Sequence, residues 1–257
     1  MKKILILLFF VATFSVAGYS QTYHYDVNGD GVVTAADVTA LYDYMLGNVP
    51  SGDEPSGDEH EYVDLGLPSG TLWATMNVGA NSPEEYGDYF AWGETTPKDV
   101  CAWSTYKWCM GSEYTMTKYC TNSSYGYNGF VDNKTELDPE DDAATANWGP
   151  EWRMPSLDQI QELMDNCTSQ WTTRNGVNGR LFTSNINGAS LFLPAAGFRW
   201  DSGLGDAGSW GSYWSRTLGS SGSRSAYRLY FNSDGVYWGN SPRYYGFSVR
   251  PVCVSQN

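Results

Sequence analysis

The sequence predicts an α+β domain of short strands, one main helix and many loops over residues 61–257. Its apolar residues form short runs that Gly, Ser and Asn interrupt, as in brief strands joined by turns. One window has helical spacing instead, with Leu157, Ile160, Leu163 and Met164 on one face. Aromatic residues make up 16% of the chain, and so many rings require a packed interior. A wholly disordered chain is therefore excluded.

Two strand patterns lie near the C-terminal end of this domain. Residues 227–231 and 236–238 flank the turn 232–235, which ends in Gly, and predict a hairpin. Residues 247–252 predict a final strand.

The chain begins with a pattern typical of an export signal. Lys2 and Lys3 supply positive charge, and the apolar run 4–14 precedes a stretch of mostly small residues. The run is shorter than the roughly 20 residues that span a bilayer, and no second hydrophobic span follows. We therefore expect residues 1–20 to be a signal peptide. The mature chain would have no transmembrane segment and would be extracellular, at the cell surface or periplasmic.

A calcium-type loop of twelve residues follows at 26–37. Oxygen-bearing side chains occupy positions 1, 3, 5, 9 and 12 of the loop, and Gly31 at position 6 permits a tight turn. Calcium takes about six to eight oxygen ligands, which such a loop can supply. The predicted ligands are Asp26, Asn28, Asp30, Thr34, Asp37 and the backbone carbonyl of Val32. The alternative is a polar turn, rich in Asp, Asn and Gly, that binds no metal.

The apolar residues after the loop, from Val38 to Met45, fit one face of a helix. This loop and helix, residues 22–47, resemble one repeat of a dockerin module, in which Asp at loop position 12 is normal. Common dockerins pack two such repeats and bind cohesin through their helices. Because only one copy is found here, the sequence argues against cohesin as a partner. Residues 48–60, where the pentapeptide PSGDE occurs twice, indicate an acidic linker.

Charge and residue types exclude several classes of function. The 15 Lys and Arg against 29 Asp and Glu give a net charge of -14, which argues against nucleic acid or an anionic membrane as partner. His24 and His60 both precede the domain, so a histidine-based triad is excluded within it. Residues 203–208 match the pattern GxGxxG, but no helix is expected after them, so a dinucleotide site is not predicted.

Carboxylates and cysteines leave two questions open. Candidate acids for a glycosidase pair are Glu84, Glu85, Glu94, Glu113 and the acidic residues of 138–142. No motif selects among them, so a solvated acidic surface is the favoured interpretation.

The five cysteines are Cys101, Cys109, Cys120, Cys167 and Cys253. An odd number leaves at least one without an intramolecular partner, and spacing does not decide between disulfides and buried thiols.

Five ordered blocks carry a second family resemblance: 62–74, 152–156, 192–199, 213–215 and 246–252. Together they resemble the Fibrobacter succinogenes major paralogous domain of exported bacterial proteins. The resemblance implies a fold similar to C-type lectins and to the formylglycine-generating enzyme, with the ends of the domain close together. The resemblance leaves the biochemical function undefined, and a surface or adhesive role is an inference from the export signal and this fold.

The tryptophans divide into two predicted sets. Trp73, Trp92, Trp152 and Trp214 lie in or near these family-like blocks and are expected in the core. Three others lie beside Gly-rich loops and are candidate ligand-binding residues, namely Trp200, Trp210 and Trp238. The sequence thus predicts an exported, non-catalytic, calcium-binding protein whose lectin-like domain binds a glycan or a surface protein. The alternative is an enzyme or accessory component of extracellular polysaccharide degradation.

Overall fold

A computed structural model describes residues 60–220 and 222–254, all within the unit Glu59–Asn257. The predicted signal peptide, the calcium loop with its helix, and residues 48–59 of the linker lie outside the described residues. Within the part that is described, no helix is both long enough and apolar enough to cross a membrane.

The described residues form eleven strands in four small antiparallel sheets, with two α-helices and three short 3-10 turns. The helices are α1 (Ala143–Trp148) and α2 (Leu157–Asn166). The strands are β1 (Tyr62–Asp64), β2 (Thr71–Ala74), β3 (Cys167–Arg174), β4 (Val177–Ser184), β5 (Ser190–Pro194), β6 (Phe198–Trp200), β7 (Gly203–Gly205), β8 (Gly211–Leu218), β9 (Ser225–Phe231), β10 (Val236–Pro242) and β11 (Val252–Val254). The predicted α+β class, with short strands and one main helix, is confirmed.

The first and last strands of the described region share one sheet, in the order β1-β2-β11. Trp73 in the central strand pairs with Val63 on one side and with Val252 on the other. The remaining sheets have the orders β3-β4-β5, β6-β7 and β10-β9-β8. The two ends of the domain therefore meet, as expected.

The predicted final strand over 247–252 is wrong in its extent, because β11 begins only at Val252. The preceding residues form single bridges to three separate segments of the chain: Gly246 to Arg199, Phe247 to Phe90, and Ser248 to Tyr213. No single neighbouring strand supplies a ladder there. This segment instead joins three parts of the fold.

The main helix α2 begins where the sequence predicts. The Ser156 hydroxyl accepts a hydrogen bond from the Gln159 backbone N–H (3.1 Å), and the Ser156 N–H donates to the Gln159 side chain (2.9 Å). These reciprocal bonds satisfy two backbone donors at the helix start. Ile160 and Leu163 on the apolar face are fully buried. The helix thus covers one side of the core.

The predicted hairpin is confirmed as β9 and β10. Asn232 closes the turn, because its side-chain oxygen accepts from the N–H groups of Asp234 (2.9 Å) and Gly235 (3.2 Å). Along the two strands Tyr230 pairs with Tyr237. Since β10 pairs only with β9, it is the edge of this three-stranded sheet.

The four tryptophans predicted in the core are all buried, which confirms that prediction. Two of them also anchor loops: Trp92 donates to the Ser215 carbonyl and Trp214 donates to the Phe90 carbonyl, each at 2.8 Å. Burial of each indole therefore leaves no unpaired donor at these two positions.

Candidate functional site

The three tryptophans predicted to bind a ligand lie in different environments. Trp200, in β6, is 42% exposed, and Trp238, in β10, is 43% exposed. Trp210 is half-buried just before β8. The ring of Trp210 is connected through that of Tyr230 to the ring of Tyr237. Because consecutive side chains of a strand point to opposite faces, Trp238 lies on the other side of the sheet from Tyr237. The three tryptophans therefore do not form one surface.

Trp210 belongs to a row of nearly parallel rings. Its indole lies 6.3 Å from the Tyr230 ring with an interplanar angle of 16°. The Tyr230 ring in turn lies 5.4 Å from that of Tyr237 at 29°. Tyr237 is 44% exposed, so the row ends at the surface.

A second row leads to Trp200. Its ring centroid lies 5.2 Å from that of Phe198, which lies 6.2 Å from Phe247 and 5.7 Å from Tyr245. Trp200 lies across β7, where a side chain on Gly205 would clash with the indole. Only glycine therefore fits at that position.

Arg228 lies between the two rows. Its guanidinium carbon is 4.5 Å from the centre of the Tyr230 ring and 5.0 Å from that of Phe247. We call the resulting surface the aromatic face, and its members are Phe198, Trp200, Trp210, Arg228, Tyr230, Tyr237 and Tyr245, which the buried core ring of Phe247 connects. Trp238 is not part of it, since its ring packs on Tyr227 at 5.8 Å on the other side of the sheet.

Burial lowers the pKa of Arg228 to about 10, while Tyr230 and Tyr245 oppose that shift. The side chain therefore keeps its positive charge at neutral pH. Among the described residues it makes one hydrogen bond, from Nη1 to the Ser212 hydroxyl at 2.8 Å. Nothing in the local sequence pattern distinguishes Arg228 from other arginines, so sequence reasoning missed it.

The carboxylates considered for a glycosidase pair are all engaged by neighbouring donors. Arg174 holds Glu84 (2.6 Å), Lys98 holds Glu94 (2.8 Å), and Arg224 holds Glu113 (2.9 Å). The remaining acids are held as follows: Glu85 by the Asn81 N–H, Asp138, Glu140 and Asp141 by Lys118, and Asp142 by backbone N–H groups at the start of α1. These contacts give each acid a structural role.

Asp142 is the most deeply buried of these acids. Its oxygens accept from the N–H groups of Ala144 (2.9 Å) and Thr145 (3.2 Å) and from that of Met154 (3.0 Å). Burial raises the pKa of this carboxyl, and the backbone donors together with Arg153 oppose the shift. The aspartate therefore caps α1 and ties it to the strand-like segment before α2.

The GxGxxG segment forms strand β7 and a turn, in which Asp206 and Gly208 have positive φ. No helix follows it, as the sequence predicts, so the segment offers no helix N-terminus for a phosphate. Among the described residues, no group of three or more His, Cys, Asp or Glu could hold a metal ion. The six predicted calcium ligands lie outside the described residues.

All five cysteines are free thiols in the structure. Cys109 and Cys120 belong to one apolar cluster with Met116 and Tyr106, and neither is bonded to the other. Burial raises the pKa of Cys101 and Cys109, and it raises that of Cys167 to about 11. Burial thus favours the protonated form of these three thiols.

Comparison with known protein families finds the dockerin type I domain over residues 24–65. The matched segment contains all six predicted calcium ligands and ends at Leu65, just after β1. Type I dockerin domains bind Ca²⁺, which confirms calcium as the expected ion. The donor set is entirely oxygen, as this hard cation requires. No curated protein and no solved structure matches the chain.

Proposed function

We propose that this chain is an exported, non-catalytic binding protein with two working parts. The loop and helix of residues 22–47 bind calcium and attach the chain to a partner, and the domain 61–257 binds glycan. The observation that carries the proposal is the dockerin type I match, because it coincides with a complete oxygen donor set at 26–37. Dockerin domains occur in extracellular or cell-surface proteins, which agrees with the predicted export signal.

Calcium binding would neutralise the negative charge of the loop. Asp26, Asp30 and Asp37 bring three negative side chains together, and they repel each other until a cation neutralises them. Loading with calcium would therefore order the loop and fix the start of the helix after it. The attachment function would then depend on calcium.

Cohesin is the partner to test, because dockerin domains typically bind one. The single copy of the calcium-type loop argues against cohesin as the partner. The matched segment extends through the duplicated PSGDE sequence, but that stretch contains no second twelve-residue pattern of calcium ligands. Immobilised type I cohesin should capture the full chain in calcium and release it in chelator. Capture that Asp26→Ala or Asp37→Ala abolishes would assign binding to this loop, whereas no capture in calcium would reject cohesin.

The aromatic face supports glycan binding by the larger domain. Exposed rings of Tyr237 and Trp200 lie at its two ends, and aromatic rings pack well against the C–H faces of sugars. The Fibrobacter succinogenes resemblance itself brings no sugar site, because the Glu-Pro-Asn, Gln-Pro-Asp and Trp-Asn-Asp motifs of C-type lectins do not occur in the sequence. Retention of the full chain on polysaccharide without release of reducing ends would support binding without catalysis.

An enzyme or accessory of polysaccharide degradation is the second candidate, since dockerin modules serve cellulosome-type assembly. It predicts release of reducing ends that one carboxylate substitution abolishes. The ion pairs of Glu84, Glu94 and Glu113 favour binding over catalysis, because these acids already have structural partners. Turnover lost in Glu94→Gln but kept in Glu113→Gln would favour the enzyme.

A further inference from the structure

Arg228 is a charged side chain whose donors are only partly used. Its Nη1 donates to Ser212, whereas its Nε is buried without any hydrogen-bond partner and its Nη2 donates to no protein acceptor among the described residues. Buried polar groups in proteins are almost always paired, so an unpaired one requires an explanation. A ligand that accepts from this edge of the guanidinium would provide one.

Arg228 also lacks a carboxylate partner in the described part of the chain. Arg174, Arg216 and Arg224 each form an ion pair with a glutamate, whereas the groups that act electrostatically on Arg228 are tyrosines. In a chain with a net charge of -14, this leaves a positive centre inside an aromatic surface. An anionic group is its natural complement.

The rings around Arg228 define the shape of the ligand. The ring centres of Tyr230 and Phe247 lie 4.5 and 5.0 Å from the guanidinium carbon. The edge that carries Nε and Nη2 has no hydrogen-bond partner among the described residues. A carboxylate suits that edge, because its two oxygens can accept parallel hydrogen bonds from Nε and Nη2. Since Nε is covered in the structure, binding requires a small side-chain shift, of the kind common at binding surfaces.

We propose that the aromatic face binds a carboxylate-bearing sugar, with Arg228 donating hydrogen bonds to the carboxylate and the rings of Tyr237 and Trp210 packing against the sugar. This inference rests on the proposed glycan binding and names the ligand class. It predicts that acidic oligosaccharides bind and that neutral ones of equal length bind much more weakly.

The test is calorimetric titration of the full chain with an oligomer of galacturonic acid and, in parallel, with a neutral galactose oligomer at the same ionic strength. Arg228→Met keeps most of the side-chain length and removes the charge, and we expect about tenfold to a hundredfold weaker binding of the acidic oligomer. Arg224→Met removes an equal charge from the surface ion pair with Glu113 and should leave binding unchanged. Tyr237→Ala should also weaken binding of the acidic oligomer. This variant tests the same site if Arg228→Met does not fold.

Several results would overturn the inference. Binding of the acidic oligomer that survives both Arg228→Met and Tyr237→Ala would remove this site from recognition. Equal binding of the neutral oligomer would reject the role of the carboxylate while leaving glycan binding intact. Equal binding of polyglutamate would reject a sugar as the preferred ligand. If neither oligomer binds, glycan binding by this domain fails as well, and calcium binding by the loop is unaffected.

Discussion

The hydroxyl of Tyr119 donates a hydrogen bond to the Asp141 carboxylate at 2.6 Å, and both residues are buried. The same hydroxyl accepts from the Asp138 N–H at 3.0 Å. Tyr119→Phe removes both bonds and leaves the Asp141 carboxylate with its ion pairs to Lys118 (2.6 Å) and Lys107 (3.5 Å). We expect the free energy of unfolding to fall by about 1–3 kcal/mol.

Urea unfolding followed by tryptophan fluorescence measures this change. Tyr127→Phe is the matched control, because that ring is exposed and its hydroxyl makes no hydrogen bond among those described. Equal unfolding midpoints for the parent and Tyr119→Phe would show that the pair contributes nothing to stability.

Asp138 should make stability depend on pH. Lys118 and Lys134 hold its carboxylate and lower its pKa below the ordinary value of 3.8. A carboxyl whose folded pKa is lowered stabilises the protein above the unfolded pKa, and this contribution is lost as pH falls through the folded pKa. Asp138→Asn should therefore be less stable than the parent at pH 7, and the difference should disappear at lower pH.

Thermal unfolding of both proteins between pH 7 and pH 2 tests this dependence. Solvent screens this half-exposed pair, so the difference at pH 7 should be small. A difference of constant size across the whole range would show that it does not arise from ionisation of Asp138.

Removal of a core indole should cost far more than removal of an exposed one. Trp214 is fully buried, and its ring lies 4.2 Å from that of Phe247. Trp214→Ala should lower the free energy of unfolding by roughly 3–5 kcal/mol, because it leaves a cavity and removes the hydrogen bond from the indole to the Phe90 carbonyl. Trp238→Ala, at an exposed position, should cost much less, and equal losses would contradict this packing.

The cysteines should remain reduced and slow to react. Burial raises the pKa of Cys101, Cys109, Cys167 and Cys253, so the reactive thiolate is rare at neutral pH. Alkylation of the native protein at pH 8, followed by mass spectrometry, should label few sites. The unfolded protein should accept five labels without prior reduction, and fewer would reveal a disulfide.

Features set by short stretches of sequence could be predicted. The start of α2 follows from Ser156 and Gln159, which lie within one helical turn, and the hairpin follows from Asn232 and the strands beside it. Burial of Trp73 and Trp214 is predicted from their position in the family-like blocks together with the size of their rings, since ring size alone does not separate them from the exposed Trp200 and Trp238. In each case the residues that determine the structure are close in sequence or act through their own apolar area.

Features set by distant contacts could not be predicted. Gly246, Phe247 and Ser248 alternate like a strand, yet their partners come from three separate segments, so the continuous final strand was wrong. Arg228 lies beside Phe247 and Ser212 only because β8 and β9 pair and the later chain returns across them. Trp200 and Trp238 are both predicted to bind a ligand because each lies beside a Gly-rich loop. Strand alternation, however, places Trp238 on the other side of the sheet from Tyr237.

The most direct test of the account is calorimetric titration of calcium into the chain without residues 1–20. Asp26→Ala and Asp37→Ala each remove a predicted ligand, while Asp53→Ala removes an equal charge from the predicted linker. Binding heat should appear in the parent and in Asp53→Ala and should be lost in both ligand variants. No heat in the parent, or heat that persists in both ligand variants, would contradict a calcium site at residues 26–37.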